Sequence, residues 1–198
     1  MFLNEPEVDA SVQAAYDAGT SDAGYLMNYN RAWAWRQDVT DHFAAARKLV
    51  ASTTTLSPGE IAVINAAVAG TREDSACSLA WGAKLAKQTD APAAATVLRG
   101  APEGLSEREA ALARWSATVA RNPNATTEQD IAALRAAGLT DREIAEATML
   151  AVFRLGFSAY NAALGVATDA ELAANAPAEV RAAVTYGRPA EEYSKVAS

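Results

Sequence analysis

The sequence marks the beginnings of helices more clearly than any other element, and it carries almost no strand signal. A capping box, in which Ser or Thr is followed three residues later by Glu, Gln or Asp, satisfies two backbone amides at the start of a helix. Four such boxes occur, at residues 57–60, 106–109, 127–130 and 140–143. Apolar residues follow at helical spacing, for example Ile61, Ile64 and Val68. The chain is therefore predicted to be all-α, a single compact bundle of about eight to ten helices.

The same signals place each helix along the chain. Residues 53–55 and 121–124 show neither a helix start nor an apolar periodicity, and they are interpreted as connections. The predicted helices cover residues 9–18, 22–35, 37–52, 57–70, 74–88, 91–99, 106–121, 127–137 and 141–165, with short pieces at 169–174 and 178–184.

The charge and hydropathy of the chain argue against two classes of partner. The formal net charge is −7, whereas nucleic acids and anionic membrane surfaces both attract a basic face. The most apolar stretch, residues 149–166, is interrupted by Arg154 and Asn161, so it is predicted to be a buried helix and not a membrane span. No basic and apolar leader opens the sequence, and we therefore expect a cytoplasmic protein.

Cysteine and histidine are too rare for the usual metal and disulfide frameworks. The chain has a single cysteine, Cys77, and a single histidine, His42. One cysteine excludes an internal disulfide and a cysteine-based zinc site, and we predict neither a metal nor a cofactor. His42 is interpreted as a surface or hydrogen-bonded structural residue on its helix.

Two features favour self-association of the chain. Alanine is abundant, and small side chains bury little area each, so such a core gains from further burial between subunits. The N-terminal helices also carry an aromatic group, formed by Tyr25, Tyr29, Trp33 and Trp35. Such a group belongs to a core or a subunit interface, or else it is a stacking platform for a planar ligand. We expect a homo-oligomer that takes a small-molecule substrate or ligand.

Two stretches of the sequence follow the pattern of a known family. The first opens with Leu56-Ser57-Pro58-Gly59-Glu60 and ends with Cys77-Ser78-Leu79-Ala80-Trp81, and the second, residues 105–166, contains the phrase LRAAGLTDREI. They resemble the AhpD-like / carboxymuconolactone decarboxylase family, in its peroxidase-related branch. The resemblance implies an AhpD-like helical bundle. It divides the single domain 1–198 into N-terminal helices (1–55), a family core (56–166) and a C-terminal extension (167–198).

The family motif, C-x-x-C-x-x-x-H, implies a dithiol mechanism that this chain does not carry complete. In the family, the second cysteine attacks peroxide, the first resolves the sulfenic acid as a disulfide, and the histidine and an upstream glutamate move protons. The attacking cysteine falls on Cys77 and the resolving cysteine on Asp74. The histidine falls on Trp81 and the glutamate on Ala62. Dithiol peroxidase chemistry is therefore not predicted here.

Three residues are candidate catalytic groups, and each has a structural alternative. Cys77 is either a thiolate favoured by the start of its helix or a small buried residue. Asp74 either caps that helix or acts as a general acid or base. Glu60 either completes the capping box with Ser57 or points into the pocket in place of the missing glutamate.

Trp81 and Arg154 are candidate pocket residues. Trp81 puts a large ring where the family has a proton carrier, and it can line or plug the pocket. Arg154 lies on an apolar helix, and a buried guanidinium needs an acceptor. We expect that acceptor to be Glu143 or Glu146, or an anionic ligand.

Three functions remain open from the sequence. The first is a one-cysteine, peroxidase-like oxidoreductase that cycles Cys77 through a sulfenic acid with an external thiol. The second is a non-redox acid/base enzyme of the lactone decarboxylase type. The third is a catalytically degenerate member that only binds a ligand.

Overall fold

The computed structural model describes residues 1–191, and about 71% of these residues are helical. Two short 3-10 turns, Ala34–Arg36 and Pro123–Ala125, interrupt the α-helices. The all-α prediction is confirmed. In chain order the elements are α1 (Ala10–Ala23), α2 (Asn28–Trp33), α3 (Gln37–Thr53), α4 (Pro58–Thr71), α5 (Ser75–Ala86), α6 (Ala91–Leu98), α7 (Glu107–Arg121), α8 (Glu128–Ala136), α9 (Asp141–Ala163), β1 (Thr168–Asp169), α10 (Ala170–Asn175), α11 (Ala178–Ala183) and β2 (Ala190–Glu191).

Helix α4 is the centre of the bundle. Between Gly59 and Ala69 every residue except Ile61 is buried, and helices α5, α6, α7 and α9 pack around it. Small side chains allow this close packing: Gly70 lies against the backbone of Leu98, and a Cβ atom there would collide with the Leu98 carbonyl oxygen. Because α4 is buried on all sides, its apolar surface is removed from water almost completely, which is the main source of stability in such a fold.

The capping boxes begin the helices that the sequence predicted. In each, the hydroxyl of the cap accepts a hydrogen bond from the amide three residues later, and the carboxylate at that position accepts one from the amide of the cap. Asp74 caps α5 and Asp90 caps α6 through their carboxylates. The hydroxyl caps are Ser57, Ser106, Thr127 and Thr140.

The N-terminal helices differ from the prediction in their boundaries. Helix α1 continues to Ala23 and ends at Gly24, which has a φ of 82°. Glycine occupies this left-handed conformation without the steric cost that other residues meet. The predicted helix 22–35 is therefore wrong at its start, because α2 begins only at Asn28 and passes into a 3-10 turn after Trp33.

Helix α9 is the longest helix and is buried along one side only. Its buried residues include Arg154, Ser158 and Asn161, whereas Met149 and Val152 are each 51% exposed. Within residues 1–191, no helix combines the length and the apolar character that crossing a bilayer requires.

Residues 184–191, here called the C-terminal strap, return to the start of α5. Strand β2 pairs in parallel with β1. The hydroxyl of Ser75 donates to the carbonyl oxygen of Arg188 at 2.8 Å, and the hydroxyl of Tyr186 donates to Oγ of Ser78 at 3.0 Å. Part of the predicted C-terminal extension is thus fastened to the bundle, while residues 192–198 of that extension lie outside the described residues.

Candidate functional site

A cavity of about 1040 Å³ lies between the N-terminal helices, α5, the C-terminal half of α9 and the C-terminal strap. A concave space of this size, with mixed apolar and polar walls, is typical of small-molecule sites. The strap contributes Gly187 and Arg188 to the wall. The lining residues that matter for the chemistry are Trp33, Arg47, Asp74, Cys77, Trp81, Lys84, Arg154 and Phe157.

Cys77 lies in the first turn of α5 and contacts a fixed guanidinium. Nη1 of Arg154 donates a hydrogen bond to Sγ of Cys77 at 3.2 Å, and Nε donates to Oδ1 of Asn65 at 3.0 Å. The amide nitrogen of Asn65 in turn donates to the carbonyl oxygen of Ile61 at 2.7 Å. Arg154 is only 3% exposed. The central helix α4 therefore orients the arginine, and the arginine contacts the sulfur.

The thiol of Cys77 is held in its protonated form at neutral pH. Burial raises the pKa of this thiol to about 11, the positive charge of Arg154 opposes that rise, and the negative charge of Asp74 adds to it. Burial has this effect because a thiolate loses more hydration than a thiol. Of the two interpretations of Cys77 from the sequence, the small buried residue agrees with this effect of burial.

Asp74 caps α5 and keeps one oxygen atom unused. Its Oδ1 accepts a hydrogen bond from the amide of Cys77 at 3.0 Å. Its Oδ2 is buried and has no hydrogen-bond partner among residues 1–191. A buried carboxylate oxygen without a partner is costly and is available to accept a proton or a hydrogen bond from a ligand.

Two cations lie over the ring of Trp81 at the wall of the cavity. The Nζ atom of Lys84 is 4.4 Å from the centroid of the Trp81 ring, and Cζ of Arg154 is 5.2 Å from it. Arg154 is also 4.9 Å from the ring of Phe157. Trp81 thus lines the cavity beside Cys77 and supplies ring faces that attract cations.

Three glutamates that were expected in the pocket or beside Arg154 lie elsewhere. Glu60 completes the capping box of α4, forms an ion pair with Arg108 and is not part of the cavity wall. Glu143 pairs with the same Arg108 at 2.7 Å, and Glu146 pairs with a different arginine of its own helix. The prediction that Arg154 pairs with Glu143 or Glu146 is therefore wrong, because both carboxylates are already engaged.

The aromatic group of the N-terminal helices separates into an inner and an outer part. Trp33 packs against rings of α9, with centroid distances of 5.2 Å to Phe157 and 4.4 Å to Tyr160. Trp35 is 46% exposed and donates to the carbonyl oxygen of Asn4. Trp33 therefore belongs to the core beside the cavity and Trp35 to the surface.

The single histidine does not line the cavity, and the described residues contain no cluster of metal ligands. His42 is exposed, with Nδ1 2.8 Å from the carbonyl oxygen of Asp38, as the structural interpretation expects. Within residues 1–191, no group of three or more His, Cys, Asp or Glu side chains is placed to hold a metal ion.

Three residues of the site were missed from the sequence. Asn65 had a usable signal, because it is the one amide side chain in the otherwise apolar run of α4. Arg47 and Lys84 had none, because each looks like an ordinary solvated residue on an amphipathic helix.

Comparison with known proteins places the fold. No protein-family model matches the sequence, and no curated protein matches it. A peroxidase-related protein from Ralstonia eutropha, described as an alkylhydroperoxidase AhpD core, is 20% identical with a TM-score of 0.72, over 86% of this chain and 93% of that one. A peroxidase-related protein from Silicibacter is 22% identical with a TM-score of 0.75, over the same shares. The chain therefore has the AhpD-like fold of peroxidase-related proteins.

Proposed function

We propose that this chain is a one-cysteine, peroxidase-like oxidoreductase of the AhpD-like family, acting on a small molecule in the cavity. The observation that carries the proposal is the hydrogen bond of 3.2 Å from Arg154 to Sγ of Cys77 at the cavity wall. A buried guanidinium bonded to sulfur favours the thiolate and also stabilises negative charge that develops on a leaving oxygen.

An external thiol supplies the electrons that the proposed reduction of a hydroperoxide consumes. The sulfur of Cys77 attacks the terminal oxygen of an organic hydroperoxide, the O–O bond breaks, and the products are a sulfenic acid and an alcohol. Because the resting thiol is protonated, its proton passes to Oδ2 of Asp74 and then to the departing alkoxide. A small external thiol converts the sulfenic acid to a mixed disulfide with release of water, and a second thiol restores Cys77 as the external disulfide leaves.

The test is to trap the sulfenic acid. Because Cys77 is the only cysteine, any adduct that dimedone forms after treatment with cumene hydroperoxide, or with a hydroperoxide that carries a carboxylate, reports this residue alone. We expect the adduct in the native protein, none in Cys77→Ser, and slow peroxide consumption with dithiothreitol that also requires Cys77. Absence of the adduct from the folded native protein would overturn the proposal.

A second function rests on the unpartnered Oδ2 of Asp74. A free buried carboxylate oxygen suits proton abstraction from a lactone or a related acid, without any change at sulfur. This acid/base enzyme would keep its activity in Cys77→Ser and lose it in Asp74→Asn, whereas the peroxidase would lose its activity in Cys77→Ser. Asn still caps a helix well, so the Asp74→Asn variant is expected to fold.

A further inference from the structure

Three cations from three different helices line the cavity. Arg47 on α3, Lys84 on α5 and Arg154 on α9 all line it. They are close enough to affect one another: desolvation is the largest cause of the lowered pKa of Arg47 and of Lys84, and the charge of Arg154 lowers both further. Like charges in one cavity repel one another.

No carboxylate of the described residues neutralises these cations. The six ion pairs within residues 1–191 leave out Arg47, Lys84 and Arg154. Three acidic residues of the cavity wall accept hydrogen bonds from other groups: Oδ1 of Asp169 from the backbone amide of Asn28, Oδ1 of Asp41 from the side chain of Gln37, and Oδ1 of Asp74 from the backbone amide of Cys77. The remaining acidic lining residue is Glu73, which forms no ion pair with the three cations.

Arg154 also retains unused hydrogen-bonding capacity. Its Nε and Nη1 atoms bond to Asn65 and Cys77, whereas Nη2 has no hydrogen-bond acceptor among the described residues. The side chain is 3% exposed and lines the cavity, so this edge can be reached by a ligand that binds there. A guanidinium edge of this kind is suited to an oxyanion, which accepts from two N–H groups at once.

The wall beside the cations is aromatic. Trp33 and Phe157 stack with an interplanar angle of 15°, and Trp81 carries Lys84 and Arg154 on its faces. A small inorganic anion makes few favourable contacts with such a wall, whereas the apolar body of an organic acid can be buried against it.

We propose that the cavity binds a small organic acid, whose carboxylate lies among Arg47, Lys84 and Arg154 and whose apolar body packs on Trp33, Phe157 and Trp81. This inference names the substrate class of the site next to Cys77 and so rests on the proposed function. The hydroperoxide reduced at Cys77 would then carry a carboxylate. In a protein with a net charge of −7, these cations attract an anion that the rest of the surface repels.

Titration calorimetry with unreactive acids tests the site without any thiol chemistry. The probes are benzoate and cinnamate, each compared with its neutral amide. We expect each acid to bind at least about tenfold more tightly than its amide, and binding to weaken as salt is added. Equal binding of acid and amide, or no heat from either acid, would overturn the inference.

Substitutions of the cavity cations test where the acid binds. Arg47→Gln and Lys84→Gln should each weaken binding of the acid by about tenfold, while Lys84→Arg retains most of it. Lys48→Gln is the matched control, because Lys48 adjoins Arg47 in sequence but does not line the cavity. An equal loss in Lys48→Gln would contradict the site. Circular dichroism of each variant separates lost binding from lost folding.

Cys77→Ser distinguishes the two proposals. If this variant binds benzoate at the native affinity and the native protein forms no sulfenic acid, the anion site is supported and the peroxidase proposal is contradicted. If the native protein forms sulfenic acid at Cys77 but binds acids no more tightly than their amides, the peroxidase proposal is supported and the anion site is contradicted.

Discussion

At the scale of single residues, the two charged neighbours of Cys77 act on its thiol in opposite directions. Asp74 raises the pKa of the thiol and Arg154 lowers it, with burial as the dominant cause of the final value of about 11. Because only the thiolate reacts with an alkylating reagent, the pH dependence of alkylation measures this balance directly.

We expect the rate of alkylation by iodoacetamide to be still rising at about pH 10, because the thiolate fraction grows until the pH passes the pKa. Asp74→Asn should move the profile to lower pH, and Arg154→Met should move it to higher pH, by about one unit. Arg121→Met, on the exposed end of α7, is the control and should leave the profile in place. A plateau below about pH 8 in the native protein would contradict this assignment.

The sequence predicted some of the residues that line the cavity, but it could not predict the electrostatics of the cavity. Cys77, Asp74 and Trp81 were found because the motif of the resembled family falls on them, and its spacing makes them neighbours on α5. The partner of Arg154 is 77 residues away from it at Cys77, and nothing local specifies that pairing. The roles of Arg47 and Lys84 likewise depend on the packing of α3 and α5 around the same cavity.

At the scale of elements, Arg108 on α7 connects the capping carboxylates of two other helices. It joins the first turn of α4 through Glu60 to the first turn of α9 through Glu143, and it donates to the carbonyl oxygen of Gly138. The capping carboxylates thus serve twice, within their own helices and between helices. The sequence predicted the caps correctly, because a cap is local, but the ion pairs depend on packing.

Glu143 should make stability depend on pH in the acid range. Hydrogen bonds from the backbone and hydroxyl of Thr140, and others from Thr55 and Arg108, lower the pKa of Glu143 from 4.5 to about 2. A carboxyl group whose folded pKa is depressed stabilises the protein above its unfolded pKa, and this contribution is lost as the pH falls from 4.5 towards 2.

Glu143→Gln should therefore lower the free energy of unfolding at neutral pH by about 2 kcal/mol and flatten its decline in acid. Urea unfolding at a series of pH values measures both effects. Glu128→Gln, an exposed substitution in the first turn of α8, is the matched control. Equal acid sensitivity in the native protein and Glu143→Gln would show that other carboxylates dominate.

At the scale of the whole molecule, the exposed apolar residues of α3 and α9 indicate where the chain would associate. Leu49 is 63% exposed, and Met149 and Val152 are 51% exposed, on helices that pack side by side. Apolar side chains on adjoining helices form the kind of patch that subunit interfaces cover. The expected homo-oligomer is therefore proposed to form through this surface.

Light scattering should give a mass at least twice the 20.7 kDa of one chain. Val152→Glu should shift the protein to the monomer without loss of helicity, since a charge in an apolar interface opposes association. Val8→Glu changes an equally exposed apolar residue outside both helices and should leave the mass unchanged. A native monomer across micromolar concentrations would contradict the assignment.

The C-terminal strap has a consequence for the order of events during folding. Its Arg188 carbonyl oxygen meets Ser75, while its guanidinium lies 4.9 Å from the ring of Phe2. The wall of the cavity combines segments that lie far apart in the sequence, from α1, α5 and the C-terminal strap. Contacts so distant in sequence close slowly, after helices such as α4 and α5 can already form. A nascent chain would therefore hold Cys77 beside an incomplete wall, open to water and to cellular oxidants, until synthesis had passed residue 188.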